Sequence, residues 1–569
     1  MLRTFSIACL CAAALAGAAA AQSAPTLLMP GVTYDREVAF TLHGPVVVNV
    51  IEGPKPAGLY SLQPVLAKGT VQGRDRLTAI QRRLSSSATV AGVNGDVFSS
   101  SGPSGLFLEN RVARTGPLGG RSSLGIDSAG NLSVDRVPFI GDWRGTGPRR
   151  ALAGLNELPG ENGTSLFTPG WGPTTPPSRD ALEVVLAPFP AATPNTDLTG
   201  AVVQILRGGN HAIPPGGAVL LARGNSAVRL AAEAPAGASV TARVILPSPL
   251  SAAVAGIGGG PLLVRNRKPV FRANEAFTAS WLVPRLARTA VGQRADGRIL
   301  LVAVDGGRAG YSSGMTNFEL AQELARRGAV TAMALDAGAS TTMAFEGNLL
   351  NRPSGGERAI ADALILSYYG VQAPPPSDDV LSPNGDGVGE RETLAYKLVR
   401  PSKVAAVLVG PQGQKITLGA GERGPGLYKL TWTGLGDDGK VLPEGRWSWQ
   451  VAAVDSLGRS STVERPFSLN ITLKAVTVVP AVLRKGSSVR IGVDLVRPAK
   501  LTMRVESSSG TVLRTLLNRS ADTGHVSLSW DGRLSGGRRA HAGAYIVRAT
   551  ATNQFGSVDL TQSVRAARR

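Results

Sequence analysis

The sequence predicts an α/β (α+β) domain built on a βαβ core, followed by two all-β sandwiches. Three observations carry that reading: a strand–helix–strand pattern between Arg298 and Gly338, a Pro-rich break at Ala373-Pro374-Pro375-Pro376-Ser377, and a self-repeating chain beyond the break. At 569 residues, with Gly 70 and Pro 38, the chain is too long for one core and too rich in helix breakers to be a coiled coil. Its 43% hydrophobic and 18% charged residues exclude a disordered chain.

The first element is a targeting segment. Arg3 gives a positive start, Phe5 to Ala20 an apolar run, and Ala19-Ala20-Ala21 before Gln22 a small-residue cleavage site. Residues 1–21 are expected to be a signal peptide, which sends the protein to the periplasm, the cell surface or the medium. The alternative is an N-terminal anchor, although the run is short and rich in Ala and Gly for a membrane span. No other stretch is apolar enough to cross a bilayer, so no transmembrane helix is expected after signal removal. Cys9 and Cys11 both fall inside this segment, which leaves the mature chain without disulfides or thiolate chemistry. His43, His211, His525 and His541 are far apart in sequence, a poor basis for a histidine metal cluster or a Ser-His-Asp triad.

Charge narrows the partners. Lys+Arg 60 against Asp+Glu 40 gives +20, which attracts polyanions. The basic residues are scattered and aromatics reach only 5%, unlike a nucleic-acid groove. Nucleic acid is therefore not expected; an anionic glycan or cell-envelope polymer is.

Residues 22–372 form the first folded unit. Val46-Val47-Val48-Asn49-Val50-Ile51 and Thr89-Val90-Ala91-Gly92-Val93 read as strands, Leu77 to Leu84 as a helix, and residues 161–250 as a β-rich insertion. Arg298 to Val304 is a strand buried on both faces, ending at Asp305-Gly306-Gly307. A helix follows, with a Thr316/Glu319 capping box, a stripe of Leu320, Ala321, Leu324 and Ala325, and a stop at Gly328. Val330 to Leu335 is the next strand and ends at Asp336-Ala337-Gly338.

A crossover of that kind makes the two strands parallel, so Asp305 and Asp336 emerge at the same sheet edge, roughly 5 to 10 Å apart if the strands are near neighbours. Asn94-Gly95-Asp96 ends its strand in the same manner. Asp305, Asp336 and Asn94 are the expected catalytic set. Each acid taken singly is also compatible with ordinary Asp-Gly turn chemistry. Gly338 allows close backbone approach, Ser340 and Thr341 continue the loop, and Asn351-Arg352-Pro353-Ser354-Gly355-Gly356-Glu357-Arg358 adds guanidiniums and a carboxylate. Arginine fits phosphate oxygens, and paired carboxylates fit glycoside hydrolysis.

These motifs resemble the phosphodiester glycosidase family. The resemblance rests on Gly92 to Phe98, Gly258 to Val264, Arg288-Thr289-Ala290-Val291-Gly292, Val304 through Thr316, Leu335 to Met343 and Asn351-Arg352-Pro353-Ser354. It covers about residues 30 to 370. It implies removal of a sugar resembling N-acetylglucosamine from a glycosyl phosphodiester, on exopolysaccharide or envelope glycans. Within it Arg288, Arg352 and Arg308 are the expected phosphate ligands, while Ser312, Gly338, Ser340, Thr341, Asn351 and Glu357 shape the substrate site. No cofactor is required by the motifs, and the carboxylates are compatible with a divalent metal.

The chain departs from the family at three loops. Asn94-Gly95-Asp96 stands for Asn-Gly-Gly, Asp305-Gly306-Gly307-Arg308 for Asp-Gly-Arg, and Asp336-Ala337-Gly338-Ala339-Ser340 for Asp-Gly-Gly-Gly-Ser. An alanine forced to φ > 0 would strain its loop by about 1 kcal/mol or more. The departures keep a second expectation open, a non-catalytic surface protein that binds glycan through a degenerate hydrolase domain.

Residues 373–379 read as an extended spacer. Beyond it, Trp432 and Trp530, Gly445 and Gly543, and Trp447 and Tyr545 are each 98 positions apart, marking a duplicated unit at 380–470 and 471–569. Each unit has about seven strand-like runs, as a β-sandwich requires. Both resemble the Ig-like module of flagellar hook-capping proteins. Asn384 and Asp386, on the Gly-rich loop that opens the first copy, suit either a calcium site or an Asx turn.

Overall fold

The computed structural model describes residues 25–100, 102–270 and 274–567. The expected signal peptide, with Cys9 and Cys11, lies outside the described residues. Strands hold 51% of the chain and helices 7%, so the molecule is mostly β. No helix among the described residues is long and apolar enough to cross a membrane.

The N-terminal unit corrects the expected βαβ core. Ile299–Val304 and Ala329–Ala334 do run in the same direction with the helix Asn317–Arg326 between them in sequence. They are not neighbours, because Arg288–Arg294 lies between them and pairs antiparallel with both. The eight-stranded sheet that contains them is antiparallel at every pairing. Buried apolar runs mislead here: such a run reads as a parallel strand, but it arises equally when an antiparallel sheet is covered on both sides.

That is the case in this sheet. One face packs through Val291, Leu301, Ala303 and Met333 onto Val93, Met343, Leu364 and Leu366 of a five-stranded sheet. The other packs through Val302, Val304 and Ala332 onto Leu320, Ala321 and Leu324 of Asn317–Arg326. A second helix, Leu77–Leu84, covers the outer face of the five-stranded sheet through Leu77 and Ile80. The order is helix, sheet, sheet, helix. The Thr316/Glu319 capping box is present, and Gly328 takes φ +85 just after the helix end.

The β-rich insertion forms a separate eight-stranded sheet from Ile140–Arg144 to Ser239–Ile245 with its own core around Trp143, Leu166, Val184 and Leu220. Beyond residue 370 two further cores follow, one around Trp432, Trp447 and Trp449 and one around Trp530, Val547 and Val564. The duplication extends to side-chain bonds. Trp432 Nε1 donates to Leu435 O at 2.9 Å and Trp530 Nε1 to Arg533 O at 2.8 Å, three residues on in each copy. Trp447 Nε1 and Tyr545 OH each donate to the carbonyl four residues back.

The stretch at 373–379 is not a free spacer at its start. Gln372 and Lys397 exchange backbone bonds at 3.1 and 2.7 Å, and buried Ala373 accepts Arg465 Nε at 2.7 Å. Lys397 Nζ reaches back to Glu346 at 2.6 Å, and Arg459 Nη1 donates to Gly58 O at 3.2 Å. The two modules are also tied to each other. Asn553 Nδ2 donates to Glu444 at 2.9 Å and to Thr472 at 2.7 Å, while Asn384 Nδ2 donates to Asp559 O at 3.0 Å.

Those bonds account for Asn384 and Asp386. Asn384 Oδ1 accepts Asp386 N at 3.2 Å and Asp386 Oδ1 accepts Val388 N at 2.8 Å, which is Asx-turn bonding. The loop is a docking turn against the second module.

Candidate active site

The antiparallel arrangement still brings the acidic loops to one edge. With a single strand between them, Asp305 and Asp336 sit two strand spacings apart, about 10 Å along the sheet. Asn94 arrives from the facing sheet at the end of Thr89–Asn94. Gly338 N donates to Ala287 O at 2.8 Å, and a Cβ on Gly306 would meet Ala287 N at 2.4 Å, so both loops close on the same backbone point.

Asp305 is 1% exposed and accepts four hydrogen bonds: Oδ1 from Asn351 Nδ2 at 2.9 Å and Arg352 N at 3.1 Å, Oδ2 from Tyr311 OH at 2.9 Å and Asn49 Nδ2 at 3.3 Å. The Arg352 guanidinium lies 5.0 Å over the Tyr311 ring, and Arg36 Nη2 donates to Tyr311 OH at 3.5 Å. That bond raises Arg36 above its ordinary pKa. Tyr34, which donates to Asn49 Oδ1 at 2.8 Å, is pushed up to about 12 by burial. Arg308 is exposed, and its Nη2 donates to Pro353 O at 3.2 Å. The guanidiniums of Arg36 and Arg352 thus meet at Tyr311, which donates to Asp305, and Arg308 is held at Pro353, next in sequence to Arg352.

Asp336 forms the other half. Its Oδ1 accepts Ala337 N at 2.9 Å; burial raises its pKa, with the Ser340 hydroxyl, Ala337 N and the charges of Arg358 and Arg121 opposing. Arg358 is exposed and donates through Nη1 to Ser340 Oγ at 3.2 Å, its guanidinium 4.9 Å over Phe98. Asn351 joins the halves, since Nδ2 donates to Thr341 O at 3.2 Å as well as to Asp305. Thr341 Oγ1 is buried with no partner among the described residues.

Two more acids stand behind Asp336. Asp96 accepts Val97 N and Gly105 N, each at 2.7 Å, and burial pushes its pKa up to about 7, with the negative charge of Asp336 adding to the rise. Asp362 Oδ1 accepts Asp96 N at 3.0 Å, while Oδ2 is buried without a partner among the described residues. Burial and then the Asp96 charge hold Asp362 well above the usual carboxylate range.

Several expected site residues turn out to be scaffold. Asn94 is fully buried; Oδ1 accepts Thr289 Oγ1 at 2.7 Å and Thr342 N at 3.0 Å, and Nδ2 donates to Asp336 O at 2.9 Å. It positions the Asp336 loop. Arg288 is 1% exposed and donates to Met315 O at 3.0 Å and Pro284 O at 2.7 Å, which ties two loops together, and burial lowers its pKa to about 10. Ser312 Oγ donates to Asp305 O and accepts Val47 N at 3.0 Å, closing its own loop. Glu357 accepts Thr78 N at 2.9 Å and Thr78 Oγ1 at 2.8 Å; it caps the helix Leu77–Leu84, whose own Arg76 offers no side-chain cap.

The altered loops are unstrained. Ala337 is extended at φ −122, ψ −179, and Ala339 is absent from the positive-φ residues; the positive-φ positions of these loops, Gly307 at φ +68 and Gly338 at φ +66, are held by glycine. Sequence reasoning missed Asn49, Tyr311 and Asp362 as site partners. Asn49 and Asp362 were detectable as lone polar residues at apolar strands, whereas the Tyr311 contact depends on how its loop folds back.

Among the described residues no group of three His, Cys, Asp or Glu side chains has the geometry to hold a metal ion.

Comparison with known proteins agrees with this architecture. The family described as phosphodiester glycosidase matches residues 196–367, and the FlgD Ig-like domain matches residues 480–554. The chain thus carries a phosphodiester glycosidase domain, within which Asp305, Asp336, Asn351 and Arg352 fall, and at least one FlgD Ig-like domain. The SPbeta prophage-derived uncharacterized protein YomE of Bacillus subtilis is 37% identical over 121 residues, 21% of this chain and 17% of its own length. A hypothetical protein from Synechocystis is similar in structure, with a TM-score of 0.51 and 27% identity over 60% of this chain and 62% of that one. The catalytic domain of zebrafish N-acetylglucosamine-1-phosphodiester alpha-N-acetylglucosaminidase, auto-inhibited by its pro-peptide, gives a TM-score of 0.32 at 14% identity, over 61% of this chain and 85% of that one. The chain spans less than two thirds of the first two relatives.

Proposed function

We propose that the protein is an exported hydrolase that removes a sugar from a glycosyl phosphodiester on an anionic envelope or exopolysaccharide glycan. The observation that carries this reading is Asp305, a buried carboxylate accepting four hydrogen bonds, one of them from Tyr311, on whose ring the guanidiniums of Arg36 and Arg352 lie. Guanidiniums bind the phosphate. The Asp305 carboxylate faces the positive charge that develops as the glycosidic bond breaks. Asp336, whose burial favours its protonated form, gives a proton to the leaving oxygen, and Ser340 and Arg358 orient it.

The test is hydrolysis of a panel of sugar-1-phosphodiesters in 18O-labelled water. Label in the sugar marks C–O cleavage and label in the phosphate marks P–O cleavage. Asp305→Asn is expected to reduce turnover at least about a hundredfold with the fold retained. A near-wild-type rate in that variant removes Asp305 from the chemistry. Absence of sugar release from every diester, together with binding of an anionic glycan, favours the second reading of a surface binding protein, which the net charge of +20 supports.

A further inference from the structure

Two aromatic rings near the acidic loops each carry a pair of guanidiniums. Tyr311, which donates to Asp305, has Arg352 at 5.0 Å and Arg36 at 5.9 Å from its ring centre. Phe98, just past Asn94-Gly95-Asp96, has Arg74 and Arg358 each at 4.9 Å. Arg358 ties this second cluster to the Asp336 loop, because its Nη1 donates to Ser340 Oγ at 3.2 Å.

Backbone bonds build the Phe98 cluster. Asp75 and Ile360 exchange backbone bonds at 3.0 and 2.9 Å, and Glu357 accepts Thr78 N at 2.9 Å, so the segments that bear Arg74 and Arg358 are clamped together. Arg74 Nη2 donates to Ser99 O at 2.9 Å, which holds its guanidinium beside the ring. Arg74 and Arg358 are exposed, and neither forms an ion pair among the described residues. The acids next to them in sequence are engaged elsewhere: Asp75 pairs with Lys68 at 3.0 Å and Arg83 at 2.7 Å, and Glu357 caps its helix. Each cation is attracted to the ring, but two like charges over one ring repel, and an anion shared between them removes that repulsion. Guanidiniums fit the oxygens of phosphate and carboxylate groups.

One glycosyl phosphodiester offers one phosphate, and the Tyr311 cluster beside Asp305 is sufficient to hold it. We infer that Arg74 and Arg358 hold a second anionic group, carried on the leaving-group side beyond Asp336, so that the preferred substrate is a glycan chain with repeating negative charge rather than a singly charged diester. The second group is a phosphate or a carboxylate, and the two are separable by experiment. This inference rests on the hydrolase reading for its substrate, while the subsite itself is open to a binding measurement that needs no turnover.

The probes are N-acetylglucosamine-1-phosphodiesters of a propyl group that ends in a hydroxyl, a carboxylate or a phosphate, each supplied to the full chain. A probe with a second charge is expected to show kcat/KM at least about tenfold above the hydroxyl-ended one, the scale of one hydrogen bond to a charged group. Arg74→Gln should erase that preference and leave kcat and KM for the hydroxyl-ended probe unchanged. Arg76→Gln removes an equal exposed charge outside the cluster and should keep the preference. A gain from the phosphate alone assigns a chain that repeats phosphate, and a gain that includes the carboxylate assigns a chain of acidic sugars; either supports the subsite. Absence of turnover with all three probes counts against the hydrolase reading and not against the subsite, which isothermal titration with the same probes then reads through the same tenfold difference in affinity. Equal values for the three probes, a preference that survives in Arg74→Gln, or an identical loss in the Arg74 and Arg76 variants overturns the inference.

Discussion

Replacing Asp96 by asparagine isolates the titration of the buried acids. Asp96 is pushed to about 7 from a usual 3.8, so well below pH 3.8 it is protonated in both folded and unfolded chains. As the pH rises from 4 to 7 the unfolded chain releases this proton and the folded chain retains it, which lowers stability by about 1.4 kcal/mol per pH unit. The rise from 3.8 to about 7 gives a loss of about 4 kcal/mol that is complete slightly above pH 7. The carboxamide introduced by Asp96→Asn can accept from only one of Val97 N and Gly105 N, where the Asp96 carboxyl accepts from both. That deficit is about 1 to 3 kcal/mol and does not vary with pH.

The two effects oppose each other. Near pH 4 the variant should be the less stable protein; the curves should converge as pH rises, and the variant should match or exceed the wild type by pH 8. Urea denaturation at half-unit steps from pH 4.5 to 8, at fixed ionic strength, reads the difference directly. Titrations of groups that do not feel the Asp96 charge cancel in it; Asp362, which does, contributes to the difference. A gap between the two proteins that stays constant across the range would show that Asp96 is ionised throughout in the folded state, and the account of the acid cluster would fall.

Further outcomes follow from the same bonds. Glu357→Ala should cost about 1 kcal/mol through loss of the helix cap and leave KM for a diester unchanged; a selective rise in KM would return Glu357 to the substrate. Ser312→Ala should destabilise by about 1 to 3 kcal/mol, because Val47 N loses its acceptor, as read by the urea midpoint. Tyr311→Phe removes one of the four bonds to Asp305 and should lower kcat more than it raises KM, whereas Arg352→Gln should act mainly on KM, as steady-state kinetics will show.

How far the sequence revealed the fold depends on the range of the interaction. The helix Asn317–Arg326 was legible to within a residue because its capping box and its Gly328 stop act within one turn. The repeat in the C-terminal half was legible because a core tryptophan must recur at the same register. The strand inserted between Ile299–Val304 and Ala329–Ala334 was not legible, since pairing with Arg288–Arg294 is a choice among equally apolar partners. Site residues divided along the same line. Asp305 and Asp336 follow from strand ends, but the burial of Arg288 and the capping role of Glu357 depend on loops brought together from distant parts of the chain.

The bonds at the joints of the C-terminal half have a mechanical consequence. Lys397 to Glu346, Arg459 to Gly58, Asn553 to Glu444 and Asn384 to Asp559 lock the duplicated modules to the head and to each other in series. A chain braced at each joint behaves as a stiff strut rather than a tether. It fixes the Asp305 and Asp336 loops at a set distance and angle from the far end of the second module.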